Sequence, residues 1–157
     1  MSWWDTPAGN YLLTFLVAMV PVLELRGAIP FGVARGLGIW QAIGISVVGN
    51  LLPVPFIILF IRQIFAWLRA WNGRFTALVS RLEAKAESKR ATVERYAFWG
   101  LVILVAVPLP GTGAWTGALV AAMMDMRLRK AFPAIALGVV IAAVIVSVIT
   151  YGASIVF

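Results

Sequence analysis

Apolar residues fill four stretches of this chain, about 8–23, 37–61, 97–124 and 131–157, and polar or helix-breaking residues interrupt them in two different ways. The second and fourth stretches contain no charged residue. At ~1.5 Å per helical residue each is long enough for a ~30 Å hydrocarbon core, so the pattern predicts two transmembrane helices. Pro53 and Pro55 are expected to kink the first of these, and Pro133 lies near the start of the other. The remaining two stretches are broken. In VPVLELRGAIPFGVARG, Glu24 and Arg26 interrupt the apolar run, and Pro21, Gly27 and Pro30 weaken a helix. The other is split at PLPGTG into arms 97–107 and 114–124, each reaching only ~16 Å as a helix. Such arms form either one broken spanning helix or a re-entrant hairpin that turns back at mid-depth.

Charge favours the hairpin. Eight of the thirteen basic residues fall between Arg62 and Arg95, and a second basic cluster, DMRLRK, occupies 125–130. A re-entrant third stretch puts both on one side of the bilayer, as the preference of Lys and Arg for cytoplasmic loops requires, whereas four crossings would separate them. A weak internal repeat fits the same scheme. Val20-Pro21 aligns with Val107-Pro108, Gly27-Ala28 with Gly113-Ala114, Ala42 with Ala131 and Gly49 with Gly138. One crossing per copy makes the second copy inverted, an arrangement that recurs in secondary transporters with sites near the midplane. The expected fold class is therefore all-α integral membrane. It is one membrane domain over 1–157: an inverted repeat of about 8–61 and 97–157, each half a re-entrant helical hairpin plus a transmembrane helix, with a basic cytoplasmic helical segment, 62–96, between the halves.

Composition supports the membrane reading and narrows the chemistry. Of the 157 residues 62% are hydrophobic and 12% charged, far from a soluble domain. The formal charge of +7 falls mostly beside apolar spans, so it reads as a topology signal and anionic-lipid contact, with no nucleic-acid partner expected. From Ile61 into the 62–95 segment the positions Ile61, Ile64, Phe65, Leu68, Trp71, Phe75, Leu78, Val79 and Leu82 keep a helical period, with Asn72-Gly73 as the expected break. Trp3, Trp4, Trp67, Trp71 and Trp99 fall near span ends, where interfacial anchoring is their default role. The start, MSWWDTPAGN, has no basic region before an apolar one, so no removable signal peptide is expected. Cysteine and histidine are absent, which removes disulfides, thiol nucleophiles, Cys/His metal sites and histidine acid/base chemistry. No enzyme, metal or cofactor is expected.

Few residues remain that carry chemistry. Glu24 and Arg26 are the one carboxylate and its close cation inside the apolar zone, where a charge costs at least a few kcal/mol and so faces a protein interior, a partner or a water-filled cavity. A carboxylate stripped of water favours its neutral form, which suits Glu24 to proton exchange, while Arg26 pulls the other way and is itself able to bind an anion. The alternative is that both lie in the headgroup region and anchor a hairpin. Arg35, nearer the outer end of the second helix, is expected to snorkel. In PLPGTG, Pro108 and Pro110 stop the incoming arm, Gly111 and Gly113 permit backbone angles closed to other residues, and Thr112 is placed to cap the outgoing arm. That helix start attracts an anionic group, so Pro108, Pro110, Gly111, Thr112 and Gly113 are candidate substrate contacts, and Pro30 of the first broken stretch is a further one. A turn whose glycines serve packing, Gly113 and Gly117 in GxxxG spacing, explains the same residues. Asn50, deep in the second helix, is a further candidate contact, or glue between helices.

ELRGAIP and PLPGTGAWTGAL, one in each half around a basic centre, resemble the putative small multi-drug export protein family, which in its paired re-entrant hairpins is similar to the DedA superfamily. The resemblance covers about Pro21 to the end. It implies a bacterial-type inner (plasma) membrane protein with hairpins meeting at mid-membrane, and transport of drug-like compounds or lipid carriers. DedA relatives are linked to proton-motive-force-dependent transport of a polyprenyl-phosphate lipid through acidic and arginine residues of the hairpins. Of these the chain offers Glu24 and Arg26, while Val105-Ala106-Val107 stand where DedA proteins carry an arginine motif. The expected function is a small secondary transporter or lipid translocator, proton-coupled through Glu24 and Arg26, moving an amphipathic small molecule or lipid-linked substrate. A homodimer is expected, because one chain can hardly shield so much broken backbone from lipid. The alternative is a non-transporting membrane scaffold that recruits partners through its basic segment.

Overall fold

The computed structural model describes residues 2–71, 73–109 and 111–156, with side chains except for 90–96 and 153–156. The described residues form helices and no strand: α1 (Pro7–Met19), α2 (Glu24–Ala34), α3 (Ile39–Leu51), α4 (Pro53–Trp71), α5 (Gly73–Tyr96), α6 (Phe98–Ala106), α7 (Ala114–Met123) and α8 (Leu128–Val156), after a short 3₁₀ turn at Trp3–Asp5. Two helical runs are long and apolar enough to cross a membrane, Ile39–Trp71 and Leu128–Gly152, at mean hydropathy 2.2 and 2.8. The first extends ten residues past the apolar stretch because Ile61, Phe65 and Leu68 keep the helical period through Arg62 and Arg69. Charge ends the apolar stretch there but not the helix. The expected break at Asn72-Gly73 falls on Asn72, which lies outside the described residues, and on Gly73, the first residue of α5.

The chain forms two compact units, 1–53 with 139–157, and 54–138. In the first, Thr6 caps α1 by accepting a hydrogen bond from the Gly9 amide (3.1 Å), and Pro7 occupies the first helical turn, where its missing N–H costs nothing. The helix ends at Val20, whose extended backbone (ψ 130°) is what a residue before proline adopts. Four residues later α2 runs back along α1. The Asn10 side chain donates to the Arg35 carbonyl (2.9 Å), and Thr14 packs on Gly32, so position rises on one helix as it falls on the other. Gly27 and Pro30, expected to weaken the helix, lie inside α2. The break comes earlier, at 20–23, where Pro21 acts on Val20.

A third helix closes this unit. A Cβ on Gly32 would lie 3.2 Å from the Ala42 Cβ of α3, and one on Gly49 would lie 2.7 Å from the Phe15 carbonyl and 3.0 Å from the Ala18 Cβ. In the second unit, α6 and α7 form another hairpin, with arms close to the expected 97–107 and 114–124, and α5 packs against both arms through buried Val79 and Ala86. Arg69 pairs with Glu83, tying α4 to α5, and Arg62 with Asp125 at 2.8 Å, tying α4 to the end of α7.

The contacts of the first unit recur in the second about 87 positions on. Gly138 of α8 would place a Cβ 2.9 Å from the Val102 carbonyl and 2.7 Å from the Val105 Cβ, just as Gly49 meets Phe15 and Ala18. Gly117 meets Leu101 as Gly32 meets Thr14. Val107, like Val20, ends the first arm in an extended conformation before a proline (ψ 120°). Helix backbones approach this closely only where Cβ is missing. Gly49→Ala and Gly138→Ala are each expected to cost about 1–3 kcal/mol in detergent thermal unfolding, because the new methyl meets backbone. Gly44→Ala, with open space around it, gains up to about 1 kcal/mol from helix propensity alone.

Candidate functional site

The turn of the first hairpin delivers Glu24 to the interior. After Pro21 the chain makes one tight turn, and the Glu24 amide donates back to the Val20 carbonyl (2.9 Å). This places Glu24 in the left-handed region (φ 48°) with only 4% of its surface exposed. A non-glycine residue there costs of order 1–2 kcal/mol, and such strain gathers at functional positions. The repeat sharpens the point. Glu24 follows Pro21 by three residues as Gly111 follows Pro108, and Gly111 also has positive φ (82°). The chain uses glycine for the positive φ of one turn and a buried carboxylate for that of the other. Glu24→Gly is therefore expected to be about 1–2 kcal/mol more stable than Glu24→Ala in detergent thermal unfolding, reversing the usual helix order of these residues. Equal stabilities would mean that the turn relaxes when the carboxylate is removed.

The first unit also buries other polar atoms besides the Glu24 carboxylate. Arg26, partly buried two residues on, interacts electrostatically with Glu24. Asn50 is 1% exposed and Ser46 0%, both on the buried face of α3. Among the described residues, Asn50 Oδ1, Ser46 Oγ and Ser147 Oγ are buried with no hydrogen-bond partner, each an acceptor whose desolvation costs about 1–3 kcal/mol uncompensated. Asn50 lies level with the hairpin turn, since its neighbour Gly49 touches Ala18, two residues before Val20. Pro30 lies one and a half turns further into α2. At the far end of the hairpin Arg35 does not extend freely. Its Nε donates to Asn10 Oδ1 (2.8 Å) and its Nη2 to the Trp4 carbonyl (2.6 Å), with Asp5 3.8 Å away and the guanidinium over the Phe31 ring. The expected snorkelling residue is instead a clamp between the chain start and the hairpin, which only the packing of distant segments reveals.

The second hairpin's turn belongs to the other unit and holds Pro108, Gly111, Thr112 and Gly113; Pro110 lies outside the described residues. Thr112 was expected to cap α7, and it does not. The cap position is Gly113, without a side-chain bond. The Thr112 hydroxyl lies 2.7 Å from both the Val107 and Leu109 carbonyls and accepts from the Leu109 amide at 3.3 Å, stapling the turn to the incoming arm. Thr116 donates to the Gly111 carbonyl (3.1 Å) and secures the outgoing side. Both glycines take positive φ, Gly113 at 131°. A residue the sequence reading missed, Lys85 of α5, folds over this turn, its Cε 3.1 Å and Nζ 3.5 Å from a Cβ built on Gly111. The only sequence signal for it is the seven-residue spacing of Val79 and Ala86, which puts one face of α5 against α6 and α7. Among the described residues no cluster of three acidic, His or Cys side chains offers a metal site.

Two spanning-length helices, two helical hairpins and a strained, buried carboxylate at a hairpin turn mark a small helical membrane protein. The chain belongs to the putative small multi-drug export protein family, whose model matches residues 24–145, from Glu24 itself through both hairpin motifs. No curated protein and no solved structure matches it.

Proposed function

We propose that this chain is a small proton-coupled exporter or lipid translocator of the bacterial-type inner membrane, moving an amphipathic small molecule or lipid-linked substrate. The observation that carries the proposal is Glu24, held 4% exposed in a left-handed backbone where the second turn uses glycine. Glu24 is the proton-coupling carboxylate. Arg26 is its charge partner, and Asn50 supplies an acceptor at the level of the same turn. The second hairpin contributes backbone at Pro108 and Gly111 to Gly113 as a substrate contact. Both hairpins are taken as re-entrant and the two copies as inverted on the positive-inside preference, while the matched glycine contacts support the repeat itself. Segment 62–96 is then cytoplasmic. The exposed stripe Phe56, Phe60, Ile64, Trp67 and Trp71 along α4 suits lipid contact, and a homodimer covers what one chain leaves open. The family description speaks of multi-drug export and so supports the substrate class.

The test is reconstitution of the full chain in proteoliposomes with an imposed pH gradient and a lipophilic cationic dye as cargo. Gradient-driven dye movement that disappears in Glu24→Gln supports the reading. Movement unaffected by the gradient, or by the substitution, overturns the coupling role.

A further inference from the structure

In the first unit the buried polar side chains are not scattered. Among the described residues Thr14, Glu24, Ser46, Asn50 and Ser147 are its buried polar or charged residues, while the second unit contributes only Thr116. The helix contacts set four of them at successive levels of the α1–α2–α3 bundle. At the exposed end, Arg35 bonds Asn10 and approaches Asp5. The Thr14 hydroxyl, one turn deeper, donates to the Asn10 carbonyl at 2.8 Å and lies 3.0 Å from a Cβ built on Gly32, itself against Ala42 of α3. Ser46 falls on α3 between Ala42, at the level of Thr14, and Gly49, which touches Ala18. Asn50 follows beside Gly49, and Ala18 leads through Val20 to the Glu24 amide. Two consecutive members, Ser46 Oγ and Asn50 Oδ1, have no hydrogen-bond partner among the described residues.

From this alignment we infer that a hydrated polar column runs from Asp5 and Arg35 past Thr14, Ser46 and Asn50 to Glu24, and that Glu24 exchanges its proton with water through it. Buried acceptors without protein donors are where ordered water resides, provided that polar partners lie within reach, and here they recur at each helical turn. No charged side chain competes along the way. The unit's charged residues are Asp5, Glu24, Arg26 and Arg35, and α1, α3 and residues 139–157 carry none. Hydroxyl and amide groups are neutral relays and let a proton hop between waters without holding it. The column deepens the coupling role proposed for Glu24 and rests on it, but its hydration is testable alone.

The chain has no native cysteine, so single thiols report directly. Ser46→Cys and Asn50→Cys in the full chain, in native membrane vesicles, are treated with silver ion and with aminoethyl methanethiosulfonate, and Val54→Cys, at a fully buried apolar position, serves as the dry reference. The column predicts modification of both variants at least about tenfold faster than the reference. Rates equal to the reference overturn it, whatever the transport assays give. If the thiols react and the wild-type chain moves no cargo under a pH gradient, the column stands and the transport reading falls. The variant Ser46→Val, at a position with no part in the proposed substrate site, completes the test. Gradient-driven transport slowed about tenfold, with zero-gradient exchange unchanged, supports proton passage, whereas unchanged gradient-driven transport overturns it even if the column is wet.

Discussion

Glu24→Gln is expected to reduce pH-gradient-driven transport at least tenfold, or about 1.4 kcal/mol or more of lost coupling, while cargo exchange without a gradient persists. The substitution isolates one property. Glutamine has nearly the shape of glutamate and can fill the same 4% exposed position, but it has no proton to release. The left-handed backbone at Glu24 disfavours both residues alike, so the fold's response is similar for the two. Arg26, which interacts with Glu24, then faces a neutral amide, so a change in cargo affinity is an expected side effect. For this reason the informative quantity is the ratio of gradient-driven to gradient-free flux rather than either flux alone. A ratio equal to that of the unaltered chain would remove Glu24 from the coupling step.

Gly113→Ala is the second large effect expected, and it acts through backbone alone. At φ 131° and ψ −171° Gly113 occupies a region essentially closed to residues with a Cβ, at a cost of order 1–3 kcal/mol. The residue is also the N-cap of α7, with Gly117 making its first helical bond back to the Gly113 carbonyl at 2.8 Å. Strain there displaces the start of α7 as well as the turn. Gly111 provides the contrast. Its φ of 82° is close to a conformation that asparagine tolerates, and what its Cβ would meet is the flexible end of Lys85. Gly111→Asn should therefore cost under about 1 kcal/mol and Gly113→Asn several times as much. The comparison is read by thermal unfolding in detergent, and equal losses at the two positions would refute the assigned turn geometry.

Much of the architecture is local and therefore legible. The two spanning helices are written in uninterrupted apolar length, and the arms of the second hairpin in the Pro-Leu-Pro-Gly-Thr-Gly interruption, because proline and glycine act on their own backbone and that of a neighbour. Glu24 was identifiable for a different reason: a carboxylate in an apolar stretch is expensive wherever the chain takes it. The departures have a common cause as well. Gly27 and Pro30 weaken a helix by themselves but lie within α2, since packing of α2 on α1 and α3 outweighs their weak helix preference. Thr112 was read as a cap, but the turn folds its hydroxyl back onto Val107 and Leu109.

By itself, then, the sequence determined what each segment is able to be: which runs suit a membrane, where helices must stop, and which side chain is costly to bury. Only the tertiary structure decided what those segments do together. It turned Arg35 into a clamp on Asn10 and Trp4, laid Lys85 over the Gly111 turn, gave Glu24 a positive φ where the second hairpin has glycine, and buried Ser46 and Asn50 on one face of α3. The physical reason is range: helix ends and apolar length depend on neighbours a few positions away, whereas the register between helices is set by contacts across tens of residues, such as Gly49 on Phe15 and Gly138 on Val102.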